Sequence, residues 1–374
     1  MKILHISNDF SLTRVHRNLY MALDKKQVEQ FVFNPVRSAT PVGNNHFEFK
    51  TTESAIHYSK QLKNYHRFLF RNKISFLYKD LKTNFDLNKI TIVHATTLFS
   101  DGAIALKLNK KHKIPYIVAV RATDIDVFLK YRPDLRFLCH SILKNASKII
   151  FIGESLKNRF LTHPMIKNYQ SLIEKKSEVI HNGINDFWLN DIFTKKQDTP
   201  NKILYVGRFV SRKNTVALAK SIIELNNQDY NLELNLVGSG GTDEIHLKEL
   251  SNQHPKIIKF LGQIGDKQVL KDIYRENHIF AMPSKGETFG LVYLEALSQG
   301  LPLLYSKNEG VDGVFDFEIG EKCSSYDIYE IGTRLKDLIE NYNNYNLNKI
   351  DFSNFRWTNI ADRYLNLYKN ICGI

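Results

Sequence analysis

The sequence predicts two α/β domains in tandem, each a doubly wound parallel sheet covered by helices. Three observations predict it. A chain of 374 residues is enough for two domains of roughly 150 residues, each with a sizeable core. Short apolar runs such as Pro115 to Val120 (PYIVAV) and His278 to Met282 (HIFAM) recur without period-two alternation, the mark of strands buried on both faces. Helical patterns alternate with these runs in two series, and residues 184–200 between the series show no sheet pattern. We therefore expect an N-terminal domain over residues 1–190, a linker over 191–200, a second domain over 201–355 and a closing helical segment over 356–374. Two doubly wound domains joined once place a cleft between the carboxyl ends of their sheets, where open α/β sheets bind ligands.

Each element follows from its residues. Lys2 to Ile6 is a short apolar strand, followed by a helix from about Thr13 to Leu23, with further strands expected at Phe31–Phe33 and Phe47–Phe49. Residues 52–82 read as one or two basic, aromatic-rich helices. From Ile92 the alternation is regular: strands at 92–94, 115–120, 148–152 and 177–180, with helices at 101–111, 135–145 and 155–161. The second series has strands at 203–206, 232–237, 257–261, 278–282 and 301–305. Its helices fall at 215–226, 242–253, 267–275 and 328–341, and residues 360–368 close the chain as a helix.

Composition narrows the function. The hydrophobic content of 43% and charged content of 24% are globular values. Three widely spaced cysteines, Cys139, Cys323 and Cys372, suit a reducing compartment better than a disulfide framework or a zinc site. The N-terminus lacks the apolar core of a signal peptide, and no apolar run approaches the roughly 20 residues of a membrane span, so a cytoplasmic protein is expected. Charge is uneven. Residues 1–190 hold 30 lysines and arginines against 15 acidic residues, while residues 191–374 hold 22 against 24. The net +13 thus belongs to the first half, which points to an anionic partner there. In residues 52–82, Tyr65, Phe68, Phe70, Phe76 and Tyr78 alternate with Lys60, Lys63, Arg67, Arg71, Lys73, Lys79 and Lys82. Either the aromatics pack into the core with the lysines solvated, or the segment lies on an anionic membrane surface. No recognition fold for nucleic acid accompanies the charge, so nucleic acid is not an expected partner.

Candidate chemistry concentrates in the second domain. After strand 278–282 comes a Pro-Ser-Lys-Gly turn with Glu287, then Phe289-Gly290-Leu291 opening a helix that carries Glu295. A helix start points free N–H groups at whatever lies beyond the strand ends, and two nearby carboxylates suit the hydroxyls of a sugar. After strand 203–206, Gly207-Arg208 and Lys213 offer a donor fork and a point charge fit for a diphosphate. Leu236-Val237-Gly238-Ser239-Gly240-Gly241 starts like a dinucleotide fingerprint but has Asp243 at the third glycine position, so it reads as a loop bordering a nucleotide or as a tight turn. No His/Cys cluster has metal-ligand spacing and no Gly-x-Ser-x-Gly elbow occurs, so neither a metal nor another cofactor is expected. His94 and His181 each end a strand near the expected cleft, where a structural role is the simpler reading.

These motifs together resemble the retaining glycosyltransferases of family 4, whose two-domain architecture is called GT-B: two Rossmann-like domains with parallel sheets facing an inter-domain cleft. The resemblance rests on Val206-Gly207-Arg208 with Lys213, Leu236 to Gly240, Phe260-Leu261-Gly262, Met282-Pro283-Ser284 and the E-x7-E pair Glu287 and Glu295 around Phe289-Gly290-Leu291. It continues through Ser100-Asp101-Gly102, Ile114-Pro115-Tyr116, Thr123-Asp124, Asn182-Gly183 and Phe355-Arg356-Trp357.

The resemblance implies metal-independent hexosyl transfer, with retention, from a nucleotide-sugar. Arg208 and Lys213 would hold the diphosphate, Glu295 the ribose, and the backbone at Gln263-Ile264 the base. Gly207 and Gly238 would border the nucleotide, and Glu287 with the amides of Phe289, Gly290 and Leu291 would grip the sugar. Arg208, Lys213 and Glu287 would carry the catalysis. The basic first domain would take a saccharide or lipid-linked saccharide in bacterial surface-polysaccharide (capsule or lipopolysaccharide) biosynthesis, through Arg121, Asp124 and His94, with the protein peripheral on the inner face of the cell membrane. The closing helix would cross back to the first domain. The sequence departs from the family where Asn8 to Thr13 lacks a Gly-Gly loop, where Arg121 replaces a histidine, and where Glu309-Gly310-Val311-Asp312-Gly313 replaces a Gly-Gly-x-Pro-Glu segment. A nucleotide-sugar 2-epimerase of the same architecture is the rival enzyme, and a non-catalytic partner protein the rival without chemistry.

Overall fold

Apolar strands order the chain into two all-parallel sheets, one in each of two units. The computed structural model describes residues 1–194 and 199–374. Residues 195–198 of the expected linker lie outside the described residues. Unit 1 comprises Met1–Ile152, Leu156–Gly183 and Trp357–Ile374, and unit 2 comprises Gly153–Ser155 and Ile184–Arg356.

Unit 1 holds strands β1 (Lys2–Ile6), β2 (Glu29–Asn34), β3 (Ala55–Tyr58), β4 (Ile92–Ala95), β5 (Tyr116–Ala119), β6 (Lys148–Phe151) and β7 (Ser177–Val179) in the order β3-β2-β1-β4-β5-β6-β7. Its helices are α1 (Arg14–Asp24), α2 (Phe70–Asn84), α3 (Ser100–His112), α4 (Arg136–Asn145), α5 (Glu154–Leu161), which begins in the short stretch assigned to unit 2, and α6 (Gln170–Lys176). Unit 2 begins with a short helix, α7 (Asp186–Leu189), followed by β8 (Lys202–Val206), α8 (Thr215–Asn226), β9 (Glu233–Val237), α9 (Glu244–Gln253) and β10 (Ile258–Gly262). It continues with α10 (Lys267–Glu276), β11 (Ile279–Met282), α11 (Leu291–Ser298), β12 (Leu303–Ser306), β13 (Gly320–Cys323) and α12 (Ile328–Glu340), in the sheet order β10-β9-β8-β11-β12-β13. The last helix, α13 (Trp357–Cys372), belongs to unit 1.

Polar caps set several helix starts. Thr13 accepts the Val15 N–H, Asp266 those of Gln268 and Val269, and Asp327 those of Tyr329 and Glu330. The α13 residues Trp357, Ile360, Ala361, Tyr364, Leu367 and Tyr368 pack into one cluster with Ile3, Leu19, Tyr20 and Leu23. Burying a large apolar side chain contributes about 1.5–3 kcal/mol, so this face is the main tie between α13 and unit 1, with Arg363 donating to the Val179 carbonyl (2.7 Å) and Lys26 pairing with Asp362 (2.6 Å) at its edges.

The structure corrects four readings. Phe47–Phe49 forms no strand. Phe47 is buried with its ring 4.5 Å from that of Phe49, so the pair serves the core without joining a ladder. The third strand lies instead at 55–58, inside the stretch read as helical, where it pairs with β2 (Phe31↔Ala55 to Asn34↔Tyr58). β13 escaped notice because Gly-Glu-Lys-Cys is no apolar run; as an edge strand it needs only one partner, β12. Residues 184–190, expected in the first domain, belong to unit 2: the Arg356 guanidinium donates to Asp186 (3.1 Å), Asn190 (2.9 Å) and the Leu189 carbonyl (2.9 Å), tying α7 into it. Of the two alternatives for residues 52–82, core packing holds for the aromatics Phe70 and Tyr78 of α2. α2 turns Phe70, Ile74, Leu77, Tyr78 and Leu81 inward, while Tyr65, Phe68 and Leu69 just before it are exposed.

Candidate functional site

In unit 2 the strand order reverses between β8 and β11, and such a switch point opens a crevice beyond the carboxyl ends of the two strands. The sequence places its chemical groups there. The turn after β8 carries Gly207 and Arg208 and ends in a short 3-10 turn, Ser211–Lys213. The turn after β11 carries Glu287. Lys213 Nζ lies 2.5 Å from Glu287 Oε2 and 3.3 Å from Met282 Sδ. The two charged side chains are only 13% and 11% exposed, whereas Arg212, 4.0 Å from the same oxygen, is half exposed.

Glu287 is held by its surroundings. Its N–H donates to Glu309 Oε2 (2.8 Å), its carbonyl accepts the Gly310 N–H (3.0 Å), and its Oε1 accepts the Thr288 N–H (3.1 Å). Gly290 enters α11 at φ 74°, and a Cβ there would lie 2.6 Å from the Tyr293 ring, so no other residue fits. Tyr293 in turn donates to the Met282 carbonyl (2.6 Å), fixing the helix start against the end of β11. Phe289 is buried, and Leu291 begins the helix.

Beside these groups lies a cavity of about 310 Å³ lined by Val206, Gly207, Arg208, Val237, Gly238, Ser239, Gln263, Ile264 and Leu270. It unites five residues singled out in the sequence: Gly207, Arg208, Gly238, Gln263 and Ile264. The loops forming it are zipped together. The Gly207 N–H donates to the Val237 carbonyl (2.9 Å), and the Gly238 N–H to the Gly262 carbonyl (2.8 Å). A Cβ on Gly238 would sit 1.9 Å from the Gly207 oxygen, which explains the glycine. The Arg208 carbonyl accepts the Tyr205 hydroxyl (2.8 Å), leaving the guanidinium exposed at the rim. Glu295 stands apart from both the cavity lining and the Lys213 pair. On α11 it receives the Tyr274 hydroxyl at 3.5 Å, and burial pushes its carboxyl up to about 7.

In unit 1 the predicted residues prove mostly internal. Asp124 accepts backbone N–H groups from Arg121 (2.8 Å), Leu98 (3.1 Å) and Phe99 (3.2 Å), and burial still raises its carboxyl to about 6. Arg121 donates through Nε to the Thr96 carbonyl (3.0 Å). His94 is buried, with Nδ1 2.7 Å from the Tyr368 hydroxyl, and burial holds it far below the ordinary histidine range. His94 and Asp124 thus make these contacts inside unit 1, with the closing helix and with the loops at the strand ends. Sequence reasoning passed over Lys73, one lysine among many, which is buried and donates to Ser100 Oγ (2.7 Å). Asp101 takes the Asn8 N–H (3.3 Å) and the Thr96 hydroxyl (3.0 Å), and burial lifts it to about 7. Glu309 was visible only as part of the altered Glu-Gly-Val-Asp-Gly segment.

Comparison with known proteins finds glycosyltransferases for both halves of the chain. A model described as glycosyl transferases group 1 matches residues 186–350, and one described as glycosyltransferase family 4 matches residues 12–186. A glycosyltransferase of Methanocaldococcus jannaschii is 27% identical over 288 residues, 70% of this chain and 71% of that one. CapH of Staphylococcus aureus, a capsular polysaccharide biosynthesis glycosyltransferase, is 26% identical over 288 residues, 73% of this chain and 77% of its own. The structure of Anabaena HepE in complex with UDP and glucose superposes with a TM-score of 0.65 at 16% identity, covering 98% of this chain and 99% of that one. At that identity the likeness is one of fold, and the fold is GT-B.

Proposed function

We propose that this chain, a GT-B glycosyltransferase of group 1 whose two family matches span residues 12–350, transfers a hexose from a nucleotide-diphosphate-sugar. Transfer proceeds with retention and without a metal, and the acceptor is a lipid-linked saccharide of bacterial surface-polysaccharide assembly. The observation that carries the reading is the Lys213–Glu287 pair beyond β8 and β11, beside a glycine-walled cavity rimmed by Arg208. Negative charge grows on the diphosphate as the sugar's C1–O bond breaks, and preorganised cations there count most. Arg208 and Lys213 supply them. The cavity takes the nucleotide, with its base against the Gln263-Ile264 backbone and its ribose toward Glu295. Glu287, already fixed from several directions, accepts sugar hydroxyls, helped by the amides of Phe289, Gly290 and Leu291.

The acceptor assignment has separate support. The 30-to-15 excess of basic residues in the first half suits a phosphate-bearing acceptor and an anionic membrane surface, and the capsular relative suggests the pathway class. Among the described residues no helix is long and apolar enough to cross a membrane, so attachment in this reading is peripheral. The test is transfer from a panel of nucleotide-sugars to a polyprenyl-diphosphate-linked saccharide. Lys213→Ala and Glu287→Ala should each lower turnover about 10²- to 10³-fold with the circular dichroism spectrum unchanged. Near-normal rates in both would defeat the reading, and conversion of the donor to its epimer without acceptor would replace it.

A further inference from the structure

Unit 1 carries an apolar groove that the transfer chemistry does not use. It lies between α2, α3 and α4, with a volume of about 560 Å³, within the roughly 300–1,000 Å³ of small-molecule pockets. Its floor is hydrocarbon: Phe70, Ile74, Ala103, Leu106, Leu135 and Leu138. Its rim is cationic, with Arg71, Lys107, Lys110 and Lys111 against one acid, Asp134, which is already paired with Arg132 at 2.7 Å. Phe137, on the rim, is 84% exposed, and Phe68 and Tyr131 stand out from neighbouring segments of the same unit. A large ring held in water beside an apolar groove gains nothing from the folded chain alone.

We propose that this groove takes one acyl chain of an anionic bilayer lipid. The apolar floor receives the hydrocarbon, the four rim cations meet the headgroup phosphate, and Phe137 enters the acyl boundary beside it. Charge complementarity selects this occupant: Lys107 and Lys111 lie over the Tyr78 ring at 4.7 and 5.4 Å, a neutral chain would add no counter-charge to the rim, and an apolar helix would desolvate Arg71 and Lys110. The proposal rests on the membrane reading above and narrows it to one groove.

The experiment places a reporter at the rim. Full-length Phe137→Trp protein is titrated with vesicles of phosphatidylglycerol carrying brominated acyl chains, and with brominated phosphatidylcholine vesicles as the neutral control. Fluorescence of the introduced indole, read against the background of Trp188 and Trp357 in the parent protein, should be quenched by the anionic vesicles alone. In co-sedimentation, Lys110→Gln/Lys111→Gln should weaken partitioning about 25-fold, at about fivefold for each lysine lost near the surface. Phe137→Ser, at an exposed position with no folding role, should weaken it about tenfold through lost apolar burial. Failure of the parent protein to bind anionic vesicles removes the membrane reading and the groove together. Binding without quenching, or binding unchanged in both variants, removes the groove alone. Quenching by both vesicle types shows that the headgroup is not recognised and overturns the anionic assignment.

Discussion

The Lys213–Glu287 pair offers a quantitative test through a double-mutant cycle. Opposite charges 2.5 Å apart attract by roughly 7 kcal/mol at an effective dielectric of about 20, before the cost of removing both groups from water. With each side chain little more than one-tenth exposed, most of that attraction offsets desolvation, and what an experiment reads is the cost of stranding one partner. Glu287→Ala leaves Lys213 with only the Met282 sulfur close by and should cost about 3 kcal/mol. Lys213→Ala is milder, about 2 kcal/mol, because Arg212 at 4.0 Å can swing toward the carboxylate that the Thr288 N–H still supports. The double variant, with neither charge stranded, should cost about 3 kcal/mol, so the coupling is about 2 kcal/mol. Thermal melting of the four proteins reads these costs at about 2–4 °C per kcal/mol for a domain of this size. Additive losses, near 5 kcal/mol in the double variant, would refute the pair as a shared interaction in solution.

Three further outcomes follow from the same geometry. Gly238→Ala drives a Cβ to 1.9 Å from the Gly207 oxygen; it should lower the melting temperature by several degrees and abolish nucleotide binding, as read by calorimetry. Glu295 has a folded pKa of about 7 against an ordinary 4.5, raised by burial, so the folded state holds its proton more tightly than the unfolded chain. Its contribution to stability is full below about pH 4.5, is lost as pH rises toward 7, and totals about 3 kcal/mol. Urea melts across that window should show a slope in the parent protein that is shallower in Glu295→Gln, the remainder coming from Asp101 and Asp124, which burial also raises. Asp124→Ala strands three backbone donors, those of Leu98, Phe99 and Arg121, and should destabilise unit 1 by about 2–3 kcal/mol, with Asp124→Asn recovering part of the loss in the same melts.

Much of this was legible in the sequence because buried parallel strands announce themselves. PYIVAV and HIFAM have no other use, and the turns after them inherit their place at the strand ends. That logic puts Arg208, Lys213 and Glu287 at one switch point, since β8 and β11 are neighbours in the sheet. Elements with weaker burial demands were not legible. β3 and β13 are edge strands with one partner each, and their sequences carry no continuous apolar run. Nor does spacing tell that Lys73 is buried against Ser100 while Lys79 is solvated, because that depends on which face of α2 meets the core. Asp124 enters through the Thr123-Asp124 motif of the resemblance and His94 through its strand end, where a structural role is the simpler reading; their partners lie inside the unit: the N–H groups of nearby loops and Tyr368 of the distant α13.

The measurement that bears most directly on the central claim is calorimetric titration of the full chain with uridine, guanosine and adenosine diphosphates. The account predicts saturable binding of at least one of them at a single site, and loss of that binding in Arg208→Ala/Lys213→Ala with the melting curve of the unliganded protein still cooperative. Absence of binding for all three, or binding that survives removal of both cations, would contradict it.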